Sequence, residues 1–266
     1  MTDVKGRTAF ITGGANGIGF GVALAFARAG AKLVLADIDA DALETAGSKL
    51  KAFTDVETVL LDVRDREAYA LAADRVEQAL GPVSVLVNNA GVACGWPIRK
   101  ITYEIWDWAI GINLLGVING TQTFLPRMLE RGGGGHIVNT ASGAGLAATF
   151  AGVVYSTTKY AVVGFSETLA RDLAPTGIGV TVLCPGPVGT DIVTRSASAQ
   201  PNIDLDLTKV IANTTEILKR GVAPEAVGEL VLQAMRNDSL YVHTDRFMAE
   251  AIEARHRAIL ESLPDE

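Results

Sequence analysis

Short runs of apolar, often β-branched residues recur along the chain, separated by stretches whose apolar positions follow a helical period. Residues 9–12, 32–36, 57–61, 83–87, 136–140, 179–183 and 240–243 read as strands. Most of these runs show little alternation, the pattern of strands buried on both faces. Residues 18–29, 40–51, 66–80, 103–128, 155–173 and 224–235 carry the helical pattern. This alternation predicts right-handed βαβ crossovers and an α/β architecture: a doubly wound, mostly parallel, seven-stranded sheet with helices on both faces. No repeat or linker interrupts it, so residues 1–266 read as a single domain.

Two segments depart from the rhythm. Residues 190–221 are weakly periodic, rich in Ser, Asn, Thr and Asp, and long for a strand-to-helix connection. Connections of that length are often functional, so the segment is a candidate lid. In the tail, residues 245–263, Met248, Ile252, Ile259 and Leu263 fall on one helical stripe and predict a docked C-terminal helix.

Composition narrows the function classes. With 48% hydrophobic residues the chain can bury a large core. No apolar run reaches the roughly 20 residues a membrane helix requires, and residues 1–7 lead straight into a strand without a signal-peptide core. The expectation is a cytoplasmic protein with no membrane partner. A net charge of −7 argues against nucleic acid, which demands clustered Lys and Arg. Cys94 and Cys184 are too few for a disulfide framework, and His136, His243 and His256 are scattered without metal-ligand spacing, so no metal is expected.

The first chemical signal follows the first strand, where Thr12-Gly13-Gly14-Ala15-Asn16-Gly17-Ile18-Gly19 runs into a helix. Glycine there permits a tight turn and close backbone approach to a pyrophosphate, and the helix N-terminus offers free N–H groups to that anion. Gly13, Asn16, Gly17, Ile18 and Gly19 are therefore candidate dinucleotide contacts, and the fold reads as Rossmann-like. The glycines at 132–135 precede a strand instead and read as a flexible turn. Asp37 ends the second strand. Its carboxylate is either a solvated turn residue or an acceptor for both adenosine ribose hydroxyls, and the upstream loop favours the second role. There it would repel an NADP 2′-phosphate of about −2 charge. No Lys or Arg lies in the glycine loop or just after Asp37. The cofactor expected is NAD.

Further along, in order, come Asp62-Val63, Asn88-Asn89-Ala90-Gly91, Asn113, Ser142, Tyr155-x-x-x-Lys159 and Pro185-Gly186-x-Val188-x-Thr190. With the glycine loop these resemble the main branch of the short-chain dehydrogenase/reductase family. The resemblance implies that Asp62 and Val63 hold the adenine, Asn89 and Gly91 flank its ribose, and Pro185, Gly186, Val188 and Thr190 adjoin the nicotinamide. It also implies a water held by Asn113 that links Lys159 to solvent, and a homo-oligomer, dimer or tetramer.

The chemistry is intelligible from the residues alone. Alcohol oxidation needs a base, and free tyrosine, with a pKa of about 10, is a poor one at neutral pH. Bringing it to about 7 takes roughly 4 kcal/mol of preferential phenolate stabilisation. Lys159 lies one helical turn from Tyr155 and can contribute. Ser142 can orient the substrate oxygen. Singly, Ser142 could be a strand-end cap, Asn113 a helix-interior polar residue, and Tyr155 with Lys159 a surface pair. Together they indicate an NAD-dependent oxidoreductase acting on an alcohol or ketone. Two rivals stand beside it: a 3-oxoacyl thioester reductase and a catalytically inactive NAD-sensing module. The resemblance places substrate contacts at Cys94, Trp96, Ala144, Leu146, Phe150, Ile192 and Val193. These are apolar and suit a bulky, hydrophobic secondary alcohol. A looser similarity to enzymes acting on aryl-alkyl alcohols, such as lignin Cα-dehydrogenases, rests on the stretch from Thr102-Tyr103 through Asp107-Trp108, residues 116–120 and residues 124–128.

Overall fold

The computed structural model describes residues 1–148, 151–201 and 206–264. Its strands are β1 (Thr8–Thr12), β2 (Lys32–Asp37), β3 (Val56–Leu60), β4 (Val83–Asn88), β5 (Gly135–Thr140), β6 (Ile178–Leu183) and β7 (Tyr241–Val242). They form one seven-stranded sheet in the order β3-β2-β1-β4-β5-β6-β7. Every pairing is parallel. All the strands therefore present their carboxyl ends at one edge, and the order reverses between β1 and β4. Loops on either side of such a reversal splay apart and leave a crevice.

The apolar runs bury both faces. On one, Ile11, Leu33, Leu35, Val85 and Val138 pack against α1 (Gly17–Arg28), α2 (Ala40–Leu50) and α9 (Pro224–Asn237). On the other, Phe10, Val34, Leu86 and Ile137 meet α3 (Arg66–Leu80), α5 (Gly116–Arg131) and α6 (Val153–Leu173). Asp39 and Asp65 start α2 and α3 by accepting from Ala42 N (3.0 Å) and Ala68 N (2.9 Å). Helices α1 and α9 approach so closely that a Cβ at Gly21 would overlap the Pro224 carbonyl.

Three features differ from the sequence expectation. The helix expected over 103–128 is α4 (Tyr103–Ile110), a π-helical turn (Gly111–Leu115) and α5. The wider turn carries Asn113 into the interior, where its amide bonds satisfy it. The irregular segment contains two further helices, α7 (Ile192–Ala199) and α8 (Thr208–Lys219). Ser and Thr weaken their propensity, and α8 has no buried residue to create a strong stripe. The C-terminal helix, α10 (Ala249–Glu261), forms but docks only at its start. Arg255 sits 5.2 Å from the Tyr160 ring, whereas Ile259, Leu260 and Leu263 are exposed. Among the described residues no helix is long and apolar enough to cross a membrane.

At the opposite end of β5, His136 is fully buried between the hydroxyls of Thr2 (3.2 Å) and Thr181 (2.9 Å). Burial pushes its pKa down to about 4. The unfolded chain thus binds the extra proton between about pH 6.5 and pH 4, and the folded one does not. Stability is complete above that window and falls as pH drops through it, by about 3 kcal/mol. Urea unfolding of wild type and His136→Gln across the window should show the loss in wild type alone. Equal pH slopes would refute the assignment.

Candidate active site

Helix α6 starts at Gly152, whose φ of +87° lets the chain turn sharply into its first turn, and Tyr155 follows within that turn. One turn on, Lys159 is only 3% exposed. Its Nζ donates to the Thr140 carbonyl at the end of β5 (2.9 Å) and lies 5.6 Å from the centre of the Tyr155 ring. Gly91 lies alongside, where a Cβ would crowd Asn113 Oδ1 at 3.2 Å and only touch Nζ at 3.6 Å. Ser142 starts a short 3-10 turn, Gly143–Gly145, and its Oγ accepts from Ala144 N (3.1 Å). It is a strand-end cap and at the same time a hydrogen-bond partner of the Tyr155 hydroxyl.

Proton affinities in this cluster follow burial. The Tyr155 hydroxyl is pushed up to about 12 by desolvation, partly countered by the Ser142 hydrogen bond. Desolvation likewise pushes Lys159 down to about 8. The expected lowering of Tyr155 by Lys159 is absent from the protein alone. The ammonium donates to the Thr140 carbonyl and lies over the ring, 5.6 Å from its centre. Both amide atoms of Asn113 are engaged: its Oδ1 accepts from Val92 N (2.8 Å), and its Nδ2 donates to Val92 O (3.0 Å) and Thr158 Oγ1 (3.2 Å). The second lone pair of Oδ1 and the main chain are what remain for a water.

The glycine loop lies across the crevice from these groups. Gly13 and Gly17 have φ of +61° and +50°. No side chain caps α1, and its first turn holds no acidic residue. Its leading N–H groups, at Gly17, Ile18 and Gly19, are therefore a ready anion site. Asn89 ties this loop to the neighbouring strands: its Nδ2 donates to Thr12 O (3.0 Å) and Gly13 O (3.3 Å), and its Oδ1 accepts from Thr140 Oγ1 (3.3 Å). Asp37 accepts from Ala15 N (3.2 Å) and Asp39 N (3.2 Å), which presents its carboxylate beside the loop. An uncapped helix N-terminus, a glycine cradle and a positioned carboxylate fit a dinucleotide.

Asp62 is held by Arg64 through a 2.6 Å ion pair that keeps its carboxyl below the usual range, and Val63 is buried beside it. Beyond β6, Gly186 N donates to Thr244 Oγ1 (3.0 Å) and Val188 bridges to Val222. Thr190 reaches back to the loop, since a Cβ at Gly17 would lie 3.1 Å from its methyl.

The expected substrate residues divide. Cys94 and Trp96 pack with Trp108, Val154 and Tyr155 in one buried cluster, joined by Leu207 from the segment before α8. Leu146 belongs to a different cluster, with Val162 and Cys184. Ala144 is buried, Ile192 and Val193 are half-buried on α7, and Phe150 lies outside the described residues. Trp96 Nε1 is buried with no hydrogen-bond partner.

Sequence reasoning missed Thr140, whose carbonyl holds Lys159, and Arg195. The stretch after Asp37 contains no nearby cation, yet the fold brings Arg195 from α7 to Asp39 (2.9 Å). Neither carried a local signal, because both act through groups distant in sequence.

Comparison with known proteins identifies the family and the fold. A family model described as short chain dehydrogenase matches residues 7–201. A C alpha-dehydrogenase from Sphingobium sp. (strain NBRC 103272 / SYK-6) is 38% identical over 99% of this chain and 88% of that protein. A short chain dehydrogenase/reductase from Burkholderia phymatum, solved in complex with NAD, superposes with a TM-score of 0.93 at 32% identity, covering 100% of this chain and 99% of the other. The apo form of LigD from Sphingobium sp. strain SYK-6 gives a TM-score of 0.84 at 36% identity over 99% and 100% of the two chains.

Two glycine substitutions test the packing around the cradle. A Cβ at Gly19 would overlap the Gly13 carbonyl, whereas Gly164 in α6 has nothing within 4 Å. Gly164→Ala should stabilise the protein by about 0.5–1 kcal/mol. Gly19→Ala should destabilise it by about 1–3 kcal/mol despite the same gain in helix propensity. Thermal unfolding reads both, and a neutral Gly19→Ala would contradict the close approach.

Proposed function

The chain belongs to the short-chain dehydrogenase family, and on that premise we propose that it is an NAD(H)-dependent enzyme interconverting a bulky, hydrophobic secondary alcohol and its ketone. The observation that carries this reading is the convergence of Ser142, Tyr155 and buried Lys159 opposite the α1 cradle. The Cα-dehydrogenase relative, and the apolar cluster of Trp96, Trp108 and Val154 around Tyr155, support a bulky substrate. Unpaired Trp96 Nε1 suits a substrate with an oxygen beyond the reacting carbinol.

Each residue has a distinct task. NAD, when bound, supplies the hydride acceptor and a positive charge beside the site. Ser142, its Oγ fixed by Ala144 N, holds the substrate oxygen by hydrogen bonding. In oxidation Tyr155 first gives up its own proton to solvent and then takes the alcohol proton at its phenolate oxygen; in ketone reduction the phenol O–H gives that proton to the substrate oxygen. Lys159 keeps the ring in place and its charge close to the phenolate that forms. Asn113 fixes the segment at Val92 that leads to the apolar cluster. The engaged Asp37 carboxylate supports NAD over NADP by repelling an additional phosphate.

Tyr155→Phe should abolish turnover and leave NADH binding within about twofold of wild type, because only the proton-transfer group is lost. A variant retaining a tenth of the wild-type rate would sink the mechanism. For cofactor choice, kcat/KM should favour NAD over NADP by about two orders of magnitude, roughly 3 kcal/mol. Asp37→Ala should narrow that gap, and equal use of both cofactors by wild type would overturn the role of Asp37.

The pH dependence has a definite sign. With the hydroxyl held up to about 12, the protein alone keeps Tyr155 protonated at neutral pH. Alcohol oxidation should accelerate as pH rises, while ketone reduction stays level and then falls as the phenol ionises. Ultraviolet difference titration of wild type against Tyr155→Phe should place this ionisation above that of free tyrosine without cofactor, and NAD⁺ should lower it. An ionisation at the free-tyrosine value in both states would contradict the environment described.

A further inference from the structure

Helix α7 is fastened to three loops that are far apart in sequence. Ser196, 3% exposed, accepts from Ala93 N beyond β4 (2.9 Å). Thr190, just before the helix, abuts Gly17. Arg195 spans the remaining gap. Its Nη2 pairs with Asp39 Oδ2 at 2.9 Å. With the Asn16 amide turned so that donor meets acceptor, the Asn16 oxygen accepts from Nη1 and Nη2, both at 3.2 Å. The helix therefore crosses from the loop after β4 to the glycine loop and the loop after β2, the walls of the crevice.

The chemistry of these contacts points to a ligand. A dinucleotide brings two pyrophosphate charges to a loop that contains no cation of its own. Uncapped N–H groups of α1 supply partial positive charge, and the Arg195 guanidinium, shared with Asp39, brings a cation against Asn16. Asp39 is itself tied to the ribose-side carboxylate, since its N–H donates to Asp37 Oδ1 (3.2 Å). Arg195 is thus connected to both the phosphate-binding and the ribose-binding sides. An ion pair with partners 43% and 37% exposed contributes little to folding.

We infer that Arg195 clamps the bound dinucleotide by locking α7 across the crevice, so that cofactor binding and closure of this segment are coupled. The inference rests on the dinucleotide reading above, but its test does not depend on turnover. NADH binding is measured by fluorescence titration for wild type, Arg195→Ala, Arg195→Lys and Asp39→Asn, the last chosen because Asn still caps α2. Hydrogen exchange of residues 192–199 is followed with and without NADH.

Arg195→Ala should raise the NADH Kd about five- to tenfold and abolish the protection of α7 that NADH confers. Arg195→Lys should fall between it and wild type, because it keeps the charge but not the two-pronged geometry. Asp39→Asn should weaken binding in the same direction, and its combination with Arg195→Ala should be no worse than Arg195→Ala alone. Unchanged NADH affinity or unchanged protection in Arg195→Ala would overturn the clamp, as would a lowered melting temperature accompanied by wild-type affinity. If wild type itself bound no NADH, the dinucleotide reading would fall and the clamp with it. Wild-type binding with an indifferent Arg195→Ala would remove the clamp alone.

Discussion

A lysine ammonium buried to 3% exposure is costly unless its surroundings are arranged for it in advance, and Lys159 is where the rest of the site takes its shape. The Thr140 carbonyl accepts a hydrogen bond from it, which requires β5 to end where α6 passes. Gly91 lets Asn113 Oδ1 approach its segment closely, since a Cβ there would lie 3.2 Å from it. The π-helical turn brings Asn113 inward to hold the Gly91–Val92 segment in place. Tyr155 then lies over the ammonium because both residues share one face of α6. Each element constrains the next, so the proton-transfer group is positioned before any substrate arrives.

Beneath this cluster a chain of buried amides and hydroxyls joins the strands. Asn88 donates to Asn139 (2.9 Å), Asn139 to Ser166 (3.0 Å) and Ser166 to the Val162 carbonyl (2.7 Å). Buried polar groups are expensive when unpaired and rigid when paired, and here they fix β4, β5 and α6 relative to one another. Asn89 performs the same service between β1, β4 and β5. The cofactor and proton-transfer halves consequently share one rigid frame. Helices α7 and α8 lie outside that frame, and most of their residues are exposed or half-buried.

Electrostatics divides the two halves. Around Tyr155 the neighbours are apolar, burial raises the phenol and lowers the amine, and the Lys159 ammonium is the charge that stands beside the phenol. Around the glycine loop charge is abundant and ordered: Asp37, Asp39 and Arg195 form a connected set beside an uncapped helix end. Binding a charged cofactor on one side therefore sets the conditions for proton movement on the other.

By itself the sequence determined the repeating strand-helix order, because burial of a parallel sheet on both faces leaves continuous apolar runs that local reading detects. It also marked the glycine loop, Asp37, Ser142, Tyr155 and Lys159 as candidates, since each sits at a fixed offset from a strand end or helix turn. Only the tertiary structure decided the π-helical turn at Asn113, because its cause is the backbone of Val92, distant in sequence. It separated Leu146 from Trp96, which polarity alone could not distinguish. It showed Tyr155 raised rather than lowered, since desolvation depends on what surrounds a group and not on its spacing to a lysine. And it brought Arg195 across 156 positions to Asp39, a pairing with no local trace because ion pairs obey distance in space and leave no period along the chain.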